Sequence, residues 1–138
     1  MSKTILITGA AKRIGREIAL SFFSKGWDIV IHYNSSKNDA QVLADEMNAQ
    51  RNDSAIIAQA NLDNADEIIK LADQTLSKNN RIDALVNNAS TFYPTPIGDF
   101  SEDDWNSLMG SNLKAPLFLM QSFSKELKKN KGFIINMI

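Results

Sequence analysis

The sequence contains no cysteine, only one histidine and only three prolines. Without cysteine there is no disulfide, no thiol nucleophile and no thiolate-ligated metal, and one histidine cannot build a histidine-rich metal centre. No apolar run reaches the roughly 18 residues of a membrane-spanning helix. The apolar stretch at the N-terminus is too short for a signal peptide and lacks a cleavage site. We expect a cytoplasmic protein that binds neither a metal nor a membrane.

Neither sign of charge dominates the chain. Its 138 residues include 15 Lys and Arg against 16 Asp and Glu, a net charge of −1 at pH 7. This balance argues against a nucleic-acid partner. Hydrophobic residues make up 43% of the sequence, which excludes a disordered chain and suffices for the core of one compact domain. We therefore expect one domain over residues 1–138, with the basic run at 128–131 as a solvated helix end.

Two kinds of hydrophobic pattern alternate along the chain. Short apolar runs predict strands at residues 4–7, 28–33, 55–60, 82–86 and 133–138. Helical spacing predicts helices at 14–25, 39–50 and 66–78, and a long helix over 101–129 that bends near Pro116. Ser101 is predicted to cap this last helix. The apolar stripes of the first three helices comprise Ile14, Ile18, Ala19, Phe22, Phe23, Val42, Leu43, Met47, Ile68, Ile69, Leu71, Ala72 and Leu76.

The alternation of strand and helix predicts an α/β fold, a doubly wound parallel sheet of about five strands in the order 3-2-1-4-5. A response-regulator-like signalling domain also has five strand–helix units. That class needs an acidic cluster at the strand ends, whereas the first strand here ends in Thr8 and Gly9.

The segment after the first strand has the features of a dinucleotide-binding loop. It contains Gly9, Lys12, Arg13, Ile14 and Gly15 between a strand and a helix. Gly9 permits a tight turn, the helix N-terminus can hold a pyrophosphate, and Gly15 lets the helix lie close to the sheet. Arg13 stands where a middle glycine is common. An ordinary strand-to-helix turn is the alternative.

The end of the second strand indicates which nucleotide binds. NAD specificity needs a carboxylate there to hold the ribose hydroxyls, and the sequence has none before Asp39. The residues present, with Lys12 and Arg13 near, favour the extra phosphate of NADP; they are His32, Tyr33, Asn34 and Ser35. Lys12 and Arg13 as two solvated loop cations are the alternative.

Three motifs together resemble the short-chain dehydrogenase/reductase family, whose members have a Rossmann-like fold. They are TGAAKRIG after the first strand, Asn87-Asn88-Ala89 after the fourth, and Asn112 in the following helix. Arg13, the His-Tyr pair ending the second strand, and NNASTFYPTP at 87–96 resemble the pteridine reductase branch. In most of the wider family a glycine stands where this sequence has Ser90.

The resemblance implies roles for individual residues. Asn87, Asn88 and Ala89 would shape the end of the fourth strand and pass the adenosine and ribose of NADP, and Ser90 would lie near its phosphates and the substrate. Phe92 would stack on a pterin, and Asn112 would bend its helix and hold a water in a proton relay. Packing of Phe92 on the core, and a surface role for Asn112, are the alternatives.

The resemblance also assigns the end of the third strand to the adenine. Asn61 stands where the family has aspartate, next to Leu62. The amide oxygen of asparagine still accepts a hydrogen bond from an amino group, without the charge.

One part of the family pattern has no counterpart in this sequence. The family's catalytic Tyr-x-x-x-Lys follows the fifth strand, whereas the two tyrosines here are Tyr33 and Tyr93. Lys37 stands four residues after Tyr33, but at the cofactor end of the second strand. We expect this chain to be the N-terminal half of a longer protein and inactive alone, with its fifth strand an exposed, aggregation-prone edge.

The sequence and its resemblance together predict an NADPH-dependent oxidoreductase that transfers hydride to a dihydropterin. An oxoacyl or sugar reductase of the same family is one alternative, and a non-catalytic nucleotide-binding fragment is another. The resemblance further implies a homodimer or homotetramer in the full-length protein, formed through the helix at 101–129.

Overall fold

A computed structural model describes all residues from 1 to 138. It consists of one five-stranded sheet with helices on both faces. The strands are β1 (Thr4–Ile7), β2 (Asp28–Tyr33), β3 (Ala55–Gln59), β4 (Ala84–Asn87) and β5 (Phe133–Asn136). The helices are α1 (Arg13–Ser24), α2 (Lys37–Gln50), α3 (Ala65–Asn79), α4 (Glu102–Met109) and α5 (Ala115–Asn130).

The strands lie in the order β3-β2-β1-β4-β5, and every neighbouring pair is parallel. The predicted Rossmann-like fold class and strand order are therefore confirmed. The chain leaves β1 toward β2 on one side and returns to β4 on the other, so the winding reverses between β1 and β4. Ligands of doubly wound sheets bind at such a reversal, beyond the carboxyl ends of the strands.

Strands β1 to β4 send alternate side chains into two separate cores. Ile5 and Ile7 of β1 pack with Leu43 and Met47 on the α1–α2 face. Leu6, between them, packs with residues of α3 and α5 on the opposite face, where Phe123 is fully buried. The continuous apolar sequences of the strands thus follow from a sheet covered on both faces.

The buried positions of the helices differ from the apolar stripes in three places. Ile14 is 62% exposed, Val42 56% and Ile69 50%. In α1 the fully buried side chain is Ala19, while Ile18 and Phe22 lie only at the margin of the core. Small residues let α1 approach the sheet closely, and its larger side chains are displaced to the sides.

The predicted long helix is interrupted before Pro116. A π-helical turn at Gly110–Lys114 joins α4 to α5, and Asn112 lies in its middle. The N–H of Ala115 donates to the carbonyl of Gly110, the wider spacing of a π turn. Ser101 caps α4 and exchanges hydrogen bonds with Asp104, as a capping box does. The predicted cap is confirmed, and the bend comes from the π turn.

Strand β5 forms one edge of the sheet, and all four of its residues are exposed. Ile134 and Ile135 are each 38% exposed and Phe133 is 42% exposed. On the α1 side of this strand a cavity of about 780 Å³ is lined by apolar side chains that include Ile18, Phe22 and Ile135. None of the helices has the length and apolar content needed to span a bilayer.

Candidate functional site

The loop between β1 and α1 has the backbone conformation that its glycines permit. Gly9 has a φ of +62°, which is the left-handed region where glycine is free of strain. Gly15 lies in the first turn of α1 against this loop. A Cβ added to Gly15 would overlap the carbonyl oxygen of Gly9 and lie 2.7 Å from the Nδ2 of Asn88 and 2.9 Å from the Cα of Ala10. The two glycines thus allow α1 to begin directly against the loop.

Arg13 adopts the same left-handed conformation without being a glycine. Its φ is +53°, a conformation that costs an ordinary residue about 1–2 kcal/mol. Strained backbone of this kind is found where function holds it in place. Arg13 is the first residue of α1, and its exposed side chain lines the cavity between α1 and β5.

The loop leaves a row of backbone donors free. The N–H groups of Thr8, Gly9 and Ala10 donate to partners within the protein, whereas those of residues 11–15 have no protein acceptor. These five unpaired N–H groups, with the positive end of the helix dipole, can attract an anion.

His32 lies beneath the loop and contacts it twice. Its backbone carbonyl accepts from the N–H of Ala10 at 3.0 Å, and its Nδ1 accepts from the N–H of Gly9 at 3.0 Å. Its Nε2 lies 2.9 Å from the carbonyl oxygen of Ala60. His32 is 2% exposed, and burial lowers its pKa to about 4, so the ring is neutral at pH 7.

The loop after β4 is tied to the glycine loop. The hydroxyl oxygen of Thr8 accepts from the N–H groups of Asn88 and Ala89, each at 2.9 Å. The Nδ2 of Asn88 donates to the carbonyls of Thr8 at 3.0 Å and of Gly9 at 3.3 Å. These bonds fix the two loops on either side of the winding reversal relative to each other.

At the end of β2 the predicted residues have different environments. Tyr33 is 8% exposed and its ring belongs to the core on the α1–α2 face. Asn34 and Ser35 are exposed. Lys12 forms an ion pair with Asp39 of α2, with 3.3 Å between Nζ and Oδ2. A carboxylate therefore lies beside the basic loop, which the sequence spacing did not indicate.

A polar cavity of about 220 Å³ lies between the two loops. Its lining includes Gly9, Asn61, Leu62, Ala89 and Ser90. The Oδ1 of Asn61 accepts from the N–H of Asp63 in a local turn. The cavity brings the ends of β1, β3 and β4 together, as a nucleotide site in this fold requires.

A second cavity, of about 470 Å³, adjoins the first at Ala89, Ser90 and Thr91. Its lining is mainly apolar and includes Phe92 and Asn112. Phe92 is 90% exposed, so its ring is free to meet a ligand and is not packed on the core. The cavity thus presents an aromatic side chain opposite the π turn.

Asn87 is paired with Asn136, a contact that the sequence did not reveal. The Nδ2 of Asn87 donates to the Oδ1 of Asn136 at 2.8 Å, across the ends of β4 and β5. The Oδ1 of Asn87 is buried and has no protein partner. Both residues line the larger cavity. Neither tyrosine of the chain, Tyr33 or Tyr93, lines either cavity.

Together the fold and these contacts define a class of protein, the doubly wound α/β proteins, with the cleft at the reversal of winding. The chain belongs to the short chain dehydrogenase family, which it matches over residues 3–138. This family consists of oxidoreductases that use nicotinamide cofactors.

Individual relatives carry two kinds of name. The chain is 33% identical over 138 residues to a 3-oxoacyl-(acyl-carrier-protein) reductase of Staphylococcus aureus strain Mu50, which covers 99% of the chain and 56% of the relative. It is 36% identical over 136 residues to the enzyme of that name from Synechocystis, covering 98% and 55%. It is 35% identical over 158 aligned positions to pteridine reductase 1 of Leishmania tarentolae, covering 92% and 55%. The chain thus spans about half the length of these relatives.

Proposed function

We propose that this chain is the cofactor-binding part of an NADPH-dependent reductase whose substrate is a pterin. The observation that carries the proposal is the row of free N–H groups at residues 11–15 beside the strained Arg13. A dinucleotide places its pyrophosphate against such a row.

The residues present fit a dinucleotide. Space for the backbone to approach a pyrophosphate comes from Gly9 and Gly15, where a side chain would collide with neighbouring atoms. The polar cavity bounded by Asn61 and Leu62 has the amide and apolar surfaces that suit an adenine. Ala89 and Ser90 lie on its other wall, and the hydroxyl of Thr8 holds the backbone N–H groups of Asn88 and Ala89.

The preference for NADPH over NADH rests on Arg13 and on the exposed polar residues Asn34 and Ser35. A guanidinium forms a bidentate, charge-assisted pair with a phosphate. Lys12 is already paired with Asp39, so Arg13 is the cation available to the cofactor. Holding this cation at the loop is a use for the strain in its backbone.

When NADPH is bound, its nicotinamide supplies a hydride. The protein's own contribution is to orient the ligand and to guide a proton. Asn112 is placed for the second task, because Pro116 has no N–H to donate to the Asn112 carbonyl four residues before it. That carbonyl is then a site for a water. Ser90 lies where the two cavities meet, beside both cofactor and substrate.

The pterin is proposed from the larger cavity. A flat heteroaromatic ring gains stacking energy against an aromatic side chain, and Phe92 offers an exposed ring at this cavity.

A second candidate substrate is a 3-oxoacyl thioester. Several relatives at 32–36% identity carry the name 3-oxoacyl-(acyl-carrier-protein) reductase. The mainly apolar lining of the larger cavity, with Leu117 and Met120, suits an acyl chain as well.

The two candidate substrates are compared by binding and not by turnover, because neither tyrosine of this chain lines a cavity. The chain saturated with NADP⁺ is titrated with dihydrobiopterin and, separately, with an acetoacetyl thioester. We expect the pterin to bind, and Phe92→Ala to weaken it about tenfold while NADPH affinity stays unchanged. Phe100→Ala, which removes another exposed ring outside the cavity lining, is the control. Binding of the thioester alone would favour the oxoacyl substrate.

A further inference from the structure

We propose that His32, which also lines the polar cavity, is a positioning residue for the cofactor loop that acts through the backbone of Gly9. The inference rests on the proposed binding of NADPH at that loop. It assigns to the ring a different task from that of the exposed Asn34 and Ser35, which follow β2.

The position of His32 allows this task. Its backbone carbonyl and its Nδ1 accept the N–H groups of two successive loop residues, Ala10 and Gly9, each at 3.0 Å. The five N–H groups that follow, at residues 11–15, remain free. His32 thus accepts the N–H groups of Gly9 and Ala10. By fixing the backbone at these two residues, it also sets the direction of the N–H groups at residues 11–15.

The other side of the ring is held by β3. Its Nε2 donates to the carbonyl of Ala60 at 2.9 Å, and Ala60 directly precedes Asn61, which lines the polar cavity. The ring is therefore a bridge between two walls of the same cavity. It fixes the glycine loop relative to the end of β3.

The chemistry of the two contacts requires one form of the ring. Nδ1 faces an N–H donor and must carry no proton, so the proton lies on Nε2, which faces a carbonyl. A protonated ring would point an N–H at the N–H of Gly9. Burial, which lowers the pKa of His32 to about 4, keeps the neutral form in place at the pH where enzymes of this kind are assayed.

Two variants separate the contacts. In His32→Asn, the Oδ1 can take the place of Nδ1 and accept from Gly9, but the side chain is too short to reach Ala60. In His32→Gln, the longer amide can donate to Ala60, but its first polar atom lies beyond the reach of Gly9. Each variant loses one neutral hydrogen bond and leaves one buried backbone group unpaired.

The dissociation constant for NADPH is measured for both variants, together with the thermal midpoint of each. We expect His32→Gln to weaken NADPH binding about tenfold, and His32→Asn to bind NADPH within about threefold of the unaltered chain. The two variants should lose about the same amount in thermal midpoint. Equal losses of affinity in the two variants would show that His32 only supports the fold, and would overturn the proposal.

Two measurements on the unaltered chain keep this test separate from the proposed function and from any failure of the variants to fold. Nitrogen NMR of His32 should give the neutral form with the proton on Nε2, and the Gly9 amide should exchange slowly with solvent. A proton on Nδ1, or rapid exchange at Gly9, would contradict the role of His32 whether or not NADPH binds. Failure of NADPH to bind a chain that gives both expected signals would contradict the proposed function instead.

Discussion

Asn112 and Thr91 are joined by two reciprocal hydrogen bonds. The Oδ1 of Asn112 accepts from the N–H of Thr91 at 3.0 Å, and its Nδ2 donates to the carbonyl of Thr91 at 2.8 Å. The amide of Asn112 thus pairs with one residue of the loop as a neighbouring strand would. It attaches the loop after β4 to the π turn.

This pairing predicts that Asn112→Asp disturbs the substrate end of the cleft. Aspartate keeps the acceptor for the Thr91 N–H but places a second oxygen against the Thr91 carbonyl, which costs about 1–3 kcal/mol. We expect dihydropterin affinity to fall about tenfold or more and NADPH affinity to change less than twofold. Asn106→Asp, the same chemical change on the exposed surface of α4, should alter neither. Unchanged pterin binding in Asn112→Asp would show that the pairing does not shape the site.

The role proposed for Arg13 predicts that two substitutions there affect cofactor affinity alike but stability differently. Arg13→Ala and Arg13→Gly both remove the guanidinium, and each should weaken NADPH roughly 10- to 100-fold, the worth of a charged hydrogen bond of about 1.5–3 kcal/mol. NADH should be affected much less. Because the φ of residue 13 is +53°, the glycine variant should be about 1 kcal/mol more stable than the alanine variant in urea. Equal losses for NADPH and NADH would remove the NADP assignment.

The ion pair between Lys12 and Asp39 predicts a gain of function. Asp39→Asn releases a lysine and removes a negative charge near the loop, so NADPH should bind about two- to fivefold more tightly while NADH changes little. Glu46→Gln is the matched control, because it breaks the exposed pair with Arg16, also at 3.3 Å between the same two helices. If both variants shift the ratio of NADPH affinity to NADH affinity equally, the shift comes from general surface charge and not from the release of Lys12.

The burial of the neutral His32 ring predicts that the stability of the fold depends on pH. Its pKa is 6.5 in the unfolded chain and about 4 in the folded one, so between these values the unfolded state binds a proton that the folded state does not. Stability from this residue is therefore complete above about pH 6.5 and is lost as the pH falls toward 4, by about 3 kcal/mol in total. Urea unfolding at pH 7 and 4.5 measures the loss. His32→Asn should lack this part of it, and an identical loss in the variant would contradict the buried neutral ring.

The sequence predicted the strands well because buried parallel strands are continuous apolar runs. The strand order followed from the strand–helix alternation. The burial of α1 was harder to predict, since Gly15 and Ala19 face the sheet while Ile14 is exposed. A hydrophobic stripe marks the apolar side of a helix, but close packing against a sheet selects the small side chains.

The site was predictable where backbone geometry demands a residue type. Gly9 and Gly15 have the conformation and the close contacts expected of a dinucleotide loop. The partners of His32 and of Lys12 were not predictable, because both contacts join residues from different strand–helix units. Only the fold brings Ala60 to His32 and Asp39 to Lys12.

Titration of the chain with NADPH and with NADH, followed by the fluorescence of the reduced nicotinamide, tests the central claim most directly. We expect saturable binding of one NADPH per chain, at least tenfold tighter than that of NADH. Binding of neither nucleotide by the folded chain would contradict the assignment of the free N–H groups at residues 11–15 to a pyrophosphate.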